Sequence, residues 1–145
     1  MGIPSLFSFL TKEYNNIKIK KIPNIDNLYF DLNCLIHPQC NLILKENINW
    51  TDRNKLESLM INQIKKYITE LINYINPNKL VYIAIDGSAP LAKIKQQRDR
   101  RYMSIKEKEF IQNLCIKYNK PTYKIWDTNV ITPGTNFMNK LKNEL

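Results

Sequence analysis

Apolar positions fall into two rhythms along the chain. From Arg53 to Asn76 they recur at Leu56, Leu59, Met60, Ile64, Tyr67, Ile68, Leu71, Ile72 and Ile75, the three- and four-residue spacing of one helix face. Thr51 or Asp52 can cap the start of this helix, and Asn76-Pro77 ends it. On either side lie short unbroken apolar runs. Leu28-Tyr29-Phe30 stops at Asp31, and Leu80 to Ile85 stops at Asp86-Gly87. Both read as strands, the second as one buried on both faces. Strand, helix, strand is a βαβ unit, and its right-handed crossover makes the strands parallel, which places Asp31 and Asp86 at the same carboxyl edge.

Outside this unit the pattern is shorter. Leu6, Phe7, Leu10 and Tyr14 predict a helix over Ile3 to Tyr14, with Pro4 in its first turn, and Lys18 to Asn27 is basic and turn-rich. Pro90 suits the first turn of a further helix through Lys93 to Arg101, with a break near Tyr102 to Ser104. Tyr123 to Trp126 reads as a short strand, Asn129 to Gly134 as a loop, and Thr135 as the cap of a final helix ending at Leu145. The expected architecture is α/β: a parallel sheet with helices on both faces, in one domain, incomplete at its C-terminal side. There are no internal repeats, low-complexity tracts or interdomain linkers.

Composition narrows the partners. A chain that is 43% hydrophobic can bury a core rather than remain disordered. The formal net charge of +9 favours a polyanion, because Lys and Arg gain affinity by displacing counterions from phosphates. RNA, DNA, an acidic membrane face and an acidic protein all satisfy that preference, and a coding bias toward Ile, Asn and Lys also raises the charge. MGIPSLFSFL lacks the basic flank and cleavage site of a signal peptide, and Leu6 stands where myristoylation needs Ser or Thr. No apolar run approaches the roughly 18 residues of a membrane span. Cys34, Cys40 and Cys115 have no disulfide-like spacing. The expectation is a soluble intracellular protein in a reducing compartment, cytoplasmic with the nucleus as the alternative, and with no membrane partner.

Two acids at parallel strand ends stand where α/β sheets bind ligands, and hard oxygen donors facing phosphate suit Mg²⁺. The alternative is that Asp31 and Asp86 only cap turns. Lys93, Gln97, Arg100 and Arg101 carry a sharper pattern, since at about 100° per residue they fall within an arc of roughly 100° on one helix. A point charge, two planar forks and a neutral amide together suit a terminal phosphate. The competing reading is a solvated basic face, given Lys95 and Arg98 elsewhere around the helix. His37 can stack on a base or bond a phosphate. The spacing Cys34, His37, Cys40 invites zinc but supplies three ligands and no second cluster. Cys34 and Cys115 are expected to be buried, and Trp50 and Trp126 to be core rather than base-stacking residues.

The opening MGIPSLFSFL, the strand NLYFDLNCLIH, the segment KLVYIAIDGSAPLAKIKQQRDRRY and the closing NVITPGTNFM resemble, in order and spacing, the N-terminal part of the Xrn-type 5′-3′ exoribonuclease catalytic domain. DGSAPLAKIKQQRDRR is the most specific of these, and the resemblance spans essentially residues 1–145. It implies a PIN/5′-nuclease-like fold and a hydrolase of RNA decay that takes single-stranded RNA from a 5′-monophosphate end and releases nucleoside monophosphates. It implies that Asp31 and Asp86 bind catalytic Mg²⁺, or Mn²⁺ in its place, that Lys93, Gln97, Arg100 and Arg101 hold the 5′-phosphate, and that His37 contacts the first nucleotides.

One departure stands against this pattern. In such enzymes further acids that complete the metal cluster lie beyond a position equivalent to Leu145. After Asp86 this sequence has only Asp99, Glu107, Glu109, Asp127 and Glu144, none in a strand-end pattern. Either a downstream segment or a second polypeptide supplies the rest, or the chain is an inactive remnant that binds 5′-monophosphate RNA without cutting it. A flap-type DNA nuclease shares the strand-end acids but not the basic helix or the ITPGT segment.

Overall fold

The computed structural model describes residues 3–18, 23–122 and 125–145. Helix α1 (Leu6–Glu13) and a short 3-10 turn (Asn15–Ile17) precede strand β1 (Asn27–Asp31). Helices α2 (Asn33–Glu46) and α3 (Arg53–Ile75) follow, then strand β2 (Leu80–Ala84), the long helix α4 (Leu91–Lys117), a second 3-10 turn (Thr128–Val130) and helix α5 (Asn136–Glu144). The expected βαβ unit forms. β1 and β2 are parallel with Asn27 opposite Leu80 and Asp31 opposite Ala84, and the Leu32 N–H donates to the Ala84 carbonyl at 2.9 Å, carrying the pairing one step past the strand end.

The core lies between α2, α3, α5 and one face of the sheet. α2 contributes Ile36, Cys40 and Ile43, which follow Leu32 at helical spacing, and α3 contributes Leu56, Met60, Ile61, Ile64 and Ile68. Phe137, Met138 and Leu141 of α5 complete it, with the Trp126 ring meeting Phe137 edge-on at 5.5 Å. Each large side chain withdrawn from water adds about 1.5–3 kcal/mol. Polar ties fix the register of the helices: Gln63 Nε2 donates to buried Gln39 at 3.0 Å, and the buried Glu57 carboxylate takes Arg53 Nε at 2.7 Å and Lys140 Nζ at 3.6 Å. Asp52 caps α3 by accepting from Asn54 and Lys55 N–H, and Thr135 caps α5 by accepting from Met138 N–H.

Several expectations are corrected. β2 is not buried on both faces: Leu28, Phe30, Val81 and Ile83 face the core, whereas Tyr29 (64% exposed) and Tyr82 (55%) stack tilted on an open face. Among the described residues helices cover one face only, and a parallel strand is hidden twice only where both are covered. The strand also ends at Ala84, two residues before Asp86. α2 was not foreseen, because Pro38 inside it reads as a breaker. α4 runs unbroken through Tyr102 to Ser104; that stretch holds no Gly or Pro, and the helix penalties of Tyr and Ser are a few tenths of a kcal/mol. Cys40 is the buried cysteine, while Cys34 is exposed and Cys115 partly so, since Cys40 follows Ile36 on the core stripe of α2. Residues 123 and 124 lie outside the described residues, and Ile125 and Trp126 belong to no strand. No helix among the described residues is long and apolar enough to cross a membrane.

Ile64 is fully buried between α2 and α3, so Ile64→Ala should lower unfolding stability by about 2–5 kcal/mol, whereas Asp52→Ala, which removes one cap, should cost about 1 kcal/mol. Denaturant melts that ranked the two the other way would contradict this placement of the core.

Candidate functional site

One cleft of about 550 Å³ opens at the carboxyl edge of the sheet, within the ~300–1,000 Å³ usual for ligand sites. Four segments line it. Asp31 ends β1 and Asp86 follows β2; Asn33, Cys34 and His37 come from the first turns of α2; Gln97, Arg100, Arg101 and Ser104 come from α4; Thr128, Asn129, Ile131, Thr132 and Pro133 come from the loop before α5. The parallel register explains the acids, because it carries both chains to the same edge before they turn away. The 3.6-residue period explains α4, since Gln97, Arg100, Arg101 and Ser104 lie on successive turns of one face.

The electrostatics is two-ended. Two carboxylates stand at one end and two guanidinium groups along a wall. The Cys34 thiol donates to Asp31 Oδ2 at 3.6 Å, and its pKa is pushed up, first by the Asp31 charge, then by that hydrogen bond, by burial and by the Asp86 charge. Both carboxylates therefore act on one atom at the N-terminus of α2. His37, near the rim, has its pKa lowered, first by partial desolvation and then by the Arg100 charge, which places the α4 wall within Coulomb reach of α2. The Asn33 Oδ1 atom is buried without a hydrogen-bond partner.

The loop wall is tied by its own hydrogen bonds and by one buried side chain. Thr132 Oγ1 donates to the Asn129 carbonyl at 2.7 Å, Thr135 Oγ1 is within 2.9 Å of the Thr132 carbonyl, and Ile131 is buried in the core. Gly134 has φ +85°, a left-handed conformation that a side chain would strain.

Of the residues singled out in the sequence, the cleft gathers Asp31, Asp86, His37, Gln97, Arg100 and Arg101. Lys93 sits a turn earlier, exposed in the first turn of α4 and outside the lining. Asn33, Ser104 and the loop residues were missed. Ser104 was hidden by the expected helix break and would otherwise have continued the Gln97–Arg100 stripe. Cys40 is buried and does not line the cleft with Cys34 and His37, and its pKa is pushed up to about 12 by burial.

Asp31 and Asp86 are the residues that could hold a metal. Two hard carboxylates suit a Mg²⁺ that keeps most of its waters and takes further ligands from a phosphate. Among the described residues no group of three or more His, Cys, Asp or Glu is arranged for a metal ion, so they do not make a closed cage.

The chain matches the family model described as XRN 5′-3′ exonuclease N-terminus over residues 1–145. It is 35% identical to 5′-3′ exoribonuclease 1 of Homo sapiens, with 100% of this chain and 9% of that protein covered. It is 36% identical to 5′-3′ exoribonuclease 1 of Saccharomyces cerevisiae (100% and 10%) and 34% identical to 5′-3′ exoribonuclease 2 of Emericella nidulans (97% and 17%). The chain thus spans less than a fifth of the length of these relatives.

His37 is the chain's single histidine, so its ring signals in proton NMR can be followed without overlap. Its titration midpoint should lie below 6.5, and Arg100→Gln should raise it only part of the way back, because desolvation is the larger cause. A midpoint unmoved by Arg100→Gln would mean that the α4 stripe does not face α2.

Proposed function

This chain belongs to the XRN 5′-3′ exonuclease N-terminus family, and from that premise we propose that it forms the 5′-end-binding part of an intracellular 5′-3′ exoribonuclease. In this reading the enzyme hydrolyses single-stranded RNA from a 5′-monophosphate end and releases nucleoside monophosphates. The observation that carries it is the single cleft with Asp31 and Asp86 at one end and Gln97, Arg100 and Arg101 along a wall. Phosphate donors stand beside carboxylates with no ion pair between them among the described residues, an arrangement that suits a phosphorylated ligand better than a structural salt bridge.

Each group has a role that its chemistry fits. The Arg100 and Arg101 forks take the oxygens of the terminal phosphate, Gln97 adds a neutral donor, and Lys93 adds a point charge from the preceding turn. His37, kept largely neutral by its surroundings, packs beside the first nucleotide. Asp31 and Asp86 would hold Mg²⁺, or Mn²⁺ in its place, which when bound supplies an activated water and neutralises charge at the scissile phosphate. Fixing the phosphate on α4 sets which phosphodiester reaches the carboxylates, so entry at the 5′ end and register of the cut follow from one contact set. The remaining acids would come from a downstream segment or a second polypeptide.

A second reading is supported by the absence of a third clustered acid among the described residues: binding of 5′-monophosphate RNA without cleavage by this chain alone. The two are separated by activity. Purified 1–145 should show negligible Mg²⁺-dependent exonuclease activity, and processive nucleotide release would refute the requirement for further acids.

Arg101→Ala should weaken binding of 5′-monophosphorylated RNA by about tenfold while changing 5′-hydroxyl RNA little, because the lost bonds are to the terminal phosphate. Fluorescence anisotropy at fixed salt is the measurement. Equal losses on both RNAs would reduce the stripe to a general basic face.

A further inference from the structure

α4 carries the phosphate wall, yet no residue of its 27 is buried and it makes no extended contact with another helix or strand among the described residues. Individual side-chain contacts are left to hold it against the other segments of the cleft. Lys108 Nζ donates to Asp127 Oδ1 at 3.1 Å, and among the described residues this is the one side-chain hydrogen bond or ion pair joining α4 to another element. Lys108 stands four residues after Ser104, seven after Arg101 and eight after Arg100, so it continues the same helical face beyond the cleft. Asp127 immediately precedes the Thr128–Val130 turn, and the same Oδ1 accepts the Asn129 N–H at 3.1 Å. One carboxylate oxygen therefore both shapes the loop that presents Thr128 and Asn129 to the cleft and holds the helix that presents Arg100 and Arg101.

We propose that the Lys108–Asp127 pair is a positioning clip that fixes the spacing of the two cleft walls and so governs discrimination for a terminal phosphate; the role in phosphate discrimination rests on the function proposed above. The Asp127 carboxyl reflects the same contact. Partial desolvation pushes its pKa up, but the Asn129 N–H and the bond and charge of Lys108 together outweigh this and leave it below the usual carboxylate value. The Lys108 side chain is 25% accessible and that of Asp127 55%, so water screens this pair somewhat less than Lys106–Glu109 on the same helix, where both side chains are open.

Binding of 5′-monophosphorylated and 5′-hydroxyl RNA to the 145-residue chain tests the clip with Lys108→Met, Asp127→Asn, their double variant and Lys108→Arg. Asp127→Asn keeps an acceptor for Asn129 N–H while removing the charge. General electrostatics predicts opposite effects, because Lys108→Met lowers the net positive charge and Asp127→Asn raises it. The clip predicts that both reduce the preference for the 5′-phosphate, each by a factor of about three to five, that the double variant is no worse than either single one, and that Lys108→Arg retains the preference.

The His37 titration supplies a readout without RNA. Loosening α4 should move the His37 midpoint upward in Lys108→Met and in Asp127→Asn alike, although the two charge changes act on His37 in opposite senses. If the wild type shows no 5′-phosphate preference but the midpoint moves this way, the clip stands and the functional reading fails. If the preference is present but neither variant alters it or the midpoint, the clip is refuted.

Discussion

Parallel pairing of β1 with β2 is the constraint on which the rest depends. Because the strands run the same way in the register that sets Asp31 against Ala84, the chain must leave the sheet twice at one edge. α2 and α3 form the crossover that makes this possible, and their apolar faces are the larger part of the core. Burial and site geometry are thereby linked: the contacts that stabilise the crossover also bring two carboxylates to one place. Shifting the register by one residue would turn Phe30 outward and expose the core face of β1, so the position of Asp31 is held by hydrophobic burial more than by the single Cys34 contact of its carboxylate.

The cleft divides its work between elements of very different anchorage. The acids and His37 stand on β1, on α2 and just past β2, all packed on the core or next to it. The guanidinium groups stand on α4, which contributes no buried residue to the core. Attraction between the two ends is not closed by a salt bridge within the cleft among the described residues. Carboxylates and guanidiniums that met directly would cancel one another, and a ligand would have to break that pair first. Holding them on separate elements keeps both free for an anion and a cation to come between.

Legibility in the sequence followed the strength of local signals. The β1–α3–β2 rhythm was readable because apolar periodicity and its end signals agree there: Asp52 caps, Asn76-Pro77 stops, Asp31 closes β1, and Asp86 follows β2 by two residues. α2 was not readable in the same way, since Pro38 speaks against a helix while Leu32, Ile36, Cys40 and Ile43 speak for it, and tertiary burial decides between them. The burial of β2 was overestimated because an apolar run reports composition, not how many faces a neighbour covers. On α4 the stripe was legible but its extent was not: the supposed break at Tyr102–Ser104 cut the helix where it should have continued to Ser104 and Lys108.

The resemblance and the geometry contribute different things. The family motifs name residues but do not say that Lys93 would lie outside the cleft lining, or that the loop from Thr128 to Pro133 would be part of it. Those follow from the fold, because Trp126 and Ile131 are drawn into the core and carry the loop between them to the sheet edge. The loop is therefore positioned by the same apolar burial that positions Asp31, while the Lys108–Asp127 ion pair joins α4 to the start of that loop. With the clip as proposed, the site responds differently on its two sides: core substitutions should disturb the acids and the loop together, whereas salt, which screens charge and leaves burial nearly untouched, should act first on α4.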